Sequence, residues 1–159
     1  MGVPHEAVEA LYAELGPVLL AYARSIVGDH AEAEDTLQQV FLKLMSDGAA
    51  LPREPRPYLF RAVRNTCLNR RRSVVRQALH RESAMFTAPD GNGDVARDLE
   101  QALLGLPVEQ REVVILRVWG EMTLEEAAAV LEVPFNTAAS RYRYALAKLR
   151  RFFGAPVPT

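Results

Sequence analysis

Tyr58, Arg61, Asn65, Asn69, Arg72 and Arg76 recur three or four residues apart. On a helix turning about 100° per residue, that spacing places them on one stripe. The residue types suit contact with a nucleic acid. Arginine supplies a permanent charge and forked donors for phosphate. Asparagine pairs a donor with an acceptor and can read a base edge. A tyrosine ring is a platform on which an unstacked base can sit. Arg64, Arg70 and Arg71 widen the positive surface, and from Arg56 to Arg81 there are eight arginines and no Asp or Glu. Leu59, Val63, Cys67 and Val74, with Phe60 beside them, form the opposite, core-facing stripe. Taken singly, Asn65 and Asn69 are ordinary helix-surface amides; in line with the arginines they become candidate base readers.

A second carboxylate-free segment follows Glu132 and holds Arg141, Arg143, Lys148, Arg150 and Arg151. TLEEAAAVLEVPFNTAASRYRYALAKLRR reads as a helix-turn-helix: a short helix opened by a Thr123–Glu126 capping box, a turn, then a longer basic helix. Ala138, Tyr142, Ala145, Leu149 and Phe152 make its expected buried stripe. Thr137, Ser140, Arg141, Tyr144, Lys148 and Arg151 make another. Its first residues would reach base edges in a major groove, and Lys148 and Arg151 would meet phosphate. Two basic segments far apart in sequence point to a polyanion gripped at two places; the alternative, a solubilising surface, usually mixes both signs.

The elements that must position these residues are helical. The chain has 159 residues, a formal net charge of −1, 49% hydrophobic and only 8% aromatic residues. No long stretch alternates at period two, so the fold class is all-α, with two small helical domains. Helices are expected over about 5–27, 30–47 and 57–84, with Gly28 ending the first, Asp29 capping the second and Pro57 opening the third. TAPDGNGDV has no periodicity and marks a flexible linker, giving domains 1–86 and 96–159 around a linker 87–95. Four helices follow, near 96–105, 106–120, 123–131 and 135–153. The single Cys67 rules out an internal disulfide and suits a reducing cytoplasm. No charged-then-apolar leader opens the chain, and no apolar run nears a membrane span, so no membrane insertion is expected.

The first 52 residues carry eight acids against Arg24 and Lys43. Within them Asp35, Gln38, Gln39 and Leu42 share one helical face, opposite Ala33, Leu37, Val40 and Leu44. A leucine on an otherwise polar face is what a partner-binding surface shows; a solvated acidic helix is the alternative on the residues alone.

DHAEAEDTLQQVFLKL followed by YLFRAVRNTCLNRRR resembles region 2 of bacterial sigma factors, and LPVEQREVVILRVWGEMTLEEAAAVLEVPFNTAASRYRYALAKLR resembles their region 4. The order, with nothing else present, resembles the extracytoplasmic-function (ECF) group of the sigma-70 family. The resemblance implies a promoter-specificity subunit of core RNA polymerase, with no catalytic residue, cofactor or metal. It implies that Asp35, Gln38, Gln39 and Leu42 dock on polymerase. The third helix and the loop before it would engage the −10 element of promoter DNA through Arg53, Arg56, Tyr58, Arg61, Asn65, Asn69, Arg72 and Arg76. The last helix would read the −35 element through Asn136, Thr137, Ser140, Arg141, Tyr144 and Lys148. An anti-sigma factor is a further implied partner. The chain departs from the family pattern at Tyr58, often Trp; at Asn69, often Asp; at Ala138 and Ala139, often Val and Lys; and at Tyr144, often Arg. Asn136 stands where Gly is frequent, which a left-handed turn would tolerate.

Three other readings stay open on the residues alone. A non-sigma helix-turn-helix regulator would use residues 123–152 on duplex DNA. An interaction protein could mimic a sigma factor. An enzyme is disfavoured, because His5, His30 and His80 are scattered without metal-ligand spacing, and no phosphate loop or nucleophile elbow is present.

Overall fold

The computed structural model describes residues 3–46, 50–75 and 93–154; for 71–75 it describes the backbone alone. Among the described residues there are seven helices and no strand, the all-α class expected from the periodicity. They are α1 (His5–Val27), α2 (His30–Ser46), α3 (Pro55–Val75), α4 (Asp94–Leu104), α5 (Val108–Val118), α6 (Leu124–Leu131) and α7 (Phe135–Phe152). The chain divides into two compact units, Met1–Met85 and Phe86–Thr159. Most of the segment read as a linker lies outside the described residues. At its end α4 begins at Asp94, two residues before the expected start. The reason is local: Gly93 takes φ 94°, and Asp94 sits in the first turn, where a carboxylate meets the positive end of the helix dipole.

In the first unit α1, α2 and α3 pack on one another. Leu15, Leu19, Tyr22 and Ile26 of α1 meet Ala33, Leu37, Phe41 and Leu44 of α2 and Leu59, Phe60, Val63 and Cys67 of α3 in one buried core. The Tyr22 and Phe60 rings lie 5.5 Å apart. Each large side chain so buried contributes about 1.5–3 kcal/mol of transfer free energy. By length and composition α1 could cross a membrane, but half of its apolar window is buried in this unit. Its core packing also carries it through Gly16 and Pro17, against a local cost of about 3 kcal/mol for an interior proline. Gly28 ends α1 at φ 76°, donating its N–H to Arg24 O at 2.9 Å. Asp29 Oδ1 accepts the Ala31 N–H at 3.0 Å and so caps α2.

Pro55, not Pro57, opens α3. Both prolines fall in the first turn, whose N–H groups have no intrahelical acceptor, so neither removes a helical bond. The earlier start takes Arg56 out of the loop and into the helix. The expected extension of α3 beyond Val75 lies outside the described residues.

In the second unit α7 packs on α4, α5 and α6. Thr123 Oγ1 accepts from Glu126 N at 3.1 Å, and Glu126 Oε1 accepts from Thr123 N at 3.0 Å, completing the capping box. The turn between α6 and α7 closes with Val133 N–H on Ala128 O (3.0 Å) and Glu132 N–H on Ala129 O (3.3 Å), a Schellman pair. Glu132 therefore holds the left-handed conformation, at φ 57°. Asn136, expected at a left-handed turn, is instead the second residue of α7. Ala127, Ala138 and Ala145 are fully buried, and their small size lets the helix-turn-helix pair close. Phe152 corrects the expected buried stripe: it is 52% exposed and rests edge-on against Phe153 at 5.2 Å. Phe152 is the last residue of α7, so it is the end of the expected stripe that stands exposed.

Candidate nucleic-acid interface

The burial pattern of α3 separates the two stripes. Leu59, Phe60, Val63 and Cys67 are fully buried, whereas Tyr58, Arg61, Asn65 and Asn69 are exposed. These four, with Ala62, Thr66 and Arg70 of α3 and Gln39, Val40 and Lys43 of α2, line an open groove of about 730 Å³. The Thr66 hydroxyl donates back to Ala62 O at 2.9 Å, so it is turned to its own helix. Its chemistry is amide, guanidinium, ammonium and phenol, a set suited to bases and phosphates.

The arginines are not equivalent. Arg70 Nη2 donates to Asp35 Oδ2 at 2.5 Å and to Gln39 Oε1 at 3.1 Å, so this member of the positive surface is tied to a carboxylate of α2. Arg56 Nη2 donates to Glu14 Oε1 of α1 at 3.0 Å. A stretch without acids in sequence thus meets acids in space at Arg56 and again at Arg70. Arg53 is exposed in the loop before α3. The side chains of Arg71, Arg72 and Val74, and the whole of Arg76, lie outside the described residues.

On α2, Asp35, Gln38, Gln39 and Leu42 are exposed and Ala33, Leu37, Val40 and Leu44 buried. Leu42 is 64% exposed. Two of the four, Asp35 and Gln39, turn to Arg70, so the α2 face runs continuously into the groove.

On α7, Asn136, Tyr144 and Lys148 are exposed and Thr137, Ser140 and Arg141 half-buried. No side chain caps the start of α7, where Pro134 precedes an acid-free first turn. The Arg143 guanidinium carbon lies 5.3 Å above the Tyr144 ring. Sequence reasoning missed the role of Arg111, which is buried although charged. Its Nε donates to Leu103 O at 3.0 Å and its Nη2 to Leu104 O at 3.3 Å and Leu106 O at 3.0 Å. It thereby satisfies the carbonyls at the end of α4 and holds the α4–α5 corner. The LPVEQR motif was the available signal. Among the described residues, no cluster of His, Cys, Asp or Glu could hold a metal ion.

Residues 11–77 match the family model for sigma-70 region 2, and residues 96–149 that for sigma-70 region 4. The chain is 34% identical over 137 residues to the RNA polymerase sigma-E factor of Streptomyces avermitilis, covering 83% of this chain and 76% of that protein. The chain belongs to the sigma-70 family. It is also 31% identical over 153 residues to the ECF RNA polymerase sigma factor SigL of Mycobacterium tuberculosis, covering 90% of this sigma factor and 86% of SigL. The sigma factor RpoE from Bartonella quintana, solved with the anti-sigma factor NepR, superposes with a TM-score of 0.77 at 26% identity, covering 97% of this chain and all of RpoE. CnrH, solved with the cytosolic domain of CnrY, shares the fold at a TM-score of 0.64 and 24% identity, covering 97% of this chain and 92% of CnrH. As an RNA polymerase sigma factor, the chain works with core polymerase on promoter DNA. Sigma factors are regulatory initiation factors, not typically enzymes.

Proposed function

We propose that this sigma factor divides its work among three surfaces. The exposed face of α2 (Asp35, Gln38, Gln39, Leu42) docks on core polymerase, with Leu42 as the apolar anchor. The α3 groove takes the −10 element. Arg53, Arg61 and the more distal Arg72 and Arg76 meet phosphates, Tyr58 stacks a base, and Asn65 and Asn69 read the edge of one drawn out of the duplex. Arg56 serves this surface from within α3, where Glu14 already holds it. The start of α7 enters the major groove at the −35 element. There Asn136, Thr137, Ser140, Arg141 and Tyr144 meet bases and nearby backbone, and Lys148 meets phosphate. The bare N-terminus of α7 suits a phosphate as well.

The observation that carries this reading is the single groove in which Tyr58, Arg61, Asn65 and Asn69 of α3 face Gln39 and Lys43 of α2. It gathers base-reading and phosphate-binding chemistry beside the polymerase-docking helix.

The mechanism is strand capture, with no covalent chemistry of the chain's own. Extruding a base costs about a few kcal/mol of stacking and pairing. Contacts in the groove and with polymerase offset it. Joining units 1–86 and 96–159 by a linker at 87–95 fixes the spacing of the two promoter elements and raises the effective concentration of each module for its site. The setting is the cytoplasm, where polymerase and DNA are. An anti-sigma factor is a fitting regulator, since RpoE and CnrH were each solved with a protein partner.

The test is transcription from fragmented genomic DNA by core polymerase with and without the chain, followed by sequencing of transcript 5′ ends. Start sites that appear only with the chain and share two spaced upstream motifs are the expected result. Unchanged start sites, or failure of the chain to associate with core enzyme, would reject the reading.

A further inference from the structure

Arg70 stands between two surfaces. One nitrogen, Nη2, binds both Asp35 and Gln39, which lie one turn apart on α2. Gln39 and Arg70 also line the groove that holds Asn65 and Asn69. The α2–α3 contact does not need this pair for its packing, because Leu37 and Val40 of α2 and Leu59, Val63 and Cys67 of α3 are already buried. The pair lies at the surface, with 64% of the Asp35 side chain and 25% of the Arg70 side chain exposed. An ion pair that water reaches is weak and exchangeable. A fully buried pair would not open.

We infer that Arg70 is an exchangeable latch: in the free chain it occupies Asp35 and Gln39, and a partner that takes those two residues releases its guanidinium into the groove to bind the nucleic-acid backbone. The inference rests on the assignment of α2 to polymerase and of the groove to DNA. It adds a link between them that neither assignment contains. Polymerase competes with Arg70 for the Asp35 carboxylate. Once displaced, Arg70 is a second phosphate donor in the groove that holds Arg61, with its charge no longer matched by Asp35. By linkage the effect is reciprocal, so a backbone phosphate that draws Arg70 away also frees Asp35 for polymerase.

The experiment uses the full chain and four variants: Asp35→Asn, Arg70→Gln, the double variant, and Glu34→Gln. Glu34 pairs with His30 and makes no contact with Arg70, so Glu34→Gln reports the effect of removing one negative charge from α2. Fluorescein-labelled oligothymidylate serves as the single-stranded probe, titrated over a range of salt. Asp35→Asn should bind about two- to five-fold more tightly than Glu34→Gln, the strength of an exposed ion pair. Its salt dependence should steepen by about 0.7 in log–log slope, one added phosphate contact on a single strand. Both gains should vanish when Arg70→Gln is added. Binding to core polymerase should weaken in Asp35→Asn and tighten in Arg70→Gln. A gain no larger than that of Glu34→Gln, or one that survives Arg70→Gln, overturns the latch while leaving the polymerase assignment standing if core binding still weakens. Unchanged core binding in Asp35→Asn overturns the polymerase assignment itself, and the coupling with it.

Discussion

Arg56 of α3 reaches 42 residues back along the chain to place Nη2 3.0 Å from Glu14 Oε1 of α1. The contact pins the start of α3, whereas Arg53, three residues earlier, is exposed in the loop. Arg53→Ala should therefore weaken DNA binding by the polymerase complex and leave the stability of the chain within about 0.5 kcal/mol. Arg56→Ala should weaken DNA binding and also lower stability by up to about 1 kcal/mol, the upper range for an exposed pair. Urea denaturation and electrophoretic mobility shift, run on both variants, separate the two effects.

Asn65 lies exposed in the α3 groove, on the side opposite Val63 and Cys67. Asn65→Ala should slow open-complex formation on a fork-junction template by about three- to ten-fold, the loss of one or so hydrogen bond to a captured base. Binding to closed duplex and thermal stability should stay near those of the parent chain. Equal opening rates, followed by a fluorescent base analogue at the melted position, would remove Asn65 from the base-reading set.

Arg141 and Lys148 test the α7 surface in different ways. If Arg141 contacts a base edge, Arg141→Ala costs about 1–3 kcal/mol of discrimination at one position of the −35 element. Lys148→Ala should weaken binding to all −35 sequences alike and reduce the log–log salt slope by about 0.9, one phosphate contact on duplex DNA. Competition binding against a library of substituted −35 duplexes at several salt concentrations reads both quantities.

Gly120 follows α5 where no side chain fits. A methyl group there would stand 2.5 Å from Leu116 O, a backbone atom that cannot swing aside. Gly120→Ala should lower the melting temperature of the second unit, and calorimetry of the variant against the parent chain would show the shift.

The sequence by itself determined the helices, because the signals that start and stop them act within a turn or two. The Thr123–Glu126 box, the Asp29 cap and the Gly28 terminus were legible for that reason, as was the division of α3 into an apolar and a polar stripe. The motifs likewise carried the family, since side chains three or four residues apart share a face whatever the helix packs against. Tertiary structure alone decided which charges are spoken for. Glu14 and Asp35 are distant in sequence from Arg56 and Arg70, and nothing local announces either pair. It also decided the reach of each face: Phe152 fits the buried stripe by spacing yet stands exposed at the end of α7, while Arg111, though charged, is drawn in by the carbonyls that end α4. Periodicity is a property of one helix, but burial and ion pairing depend on which other helix arrives beside it, and that is settled only when the chain has folded.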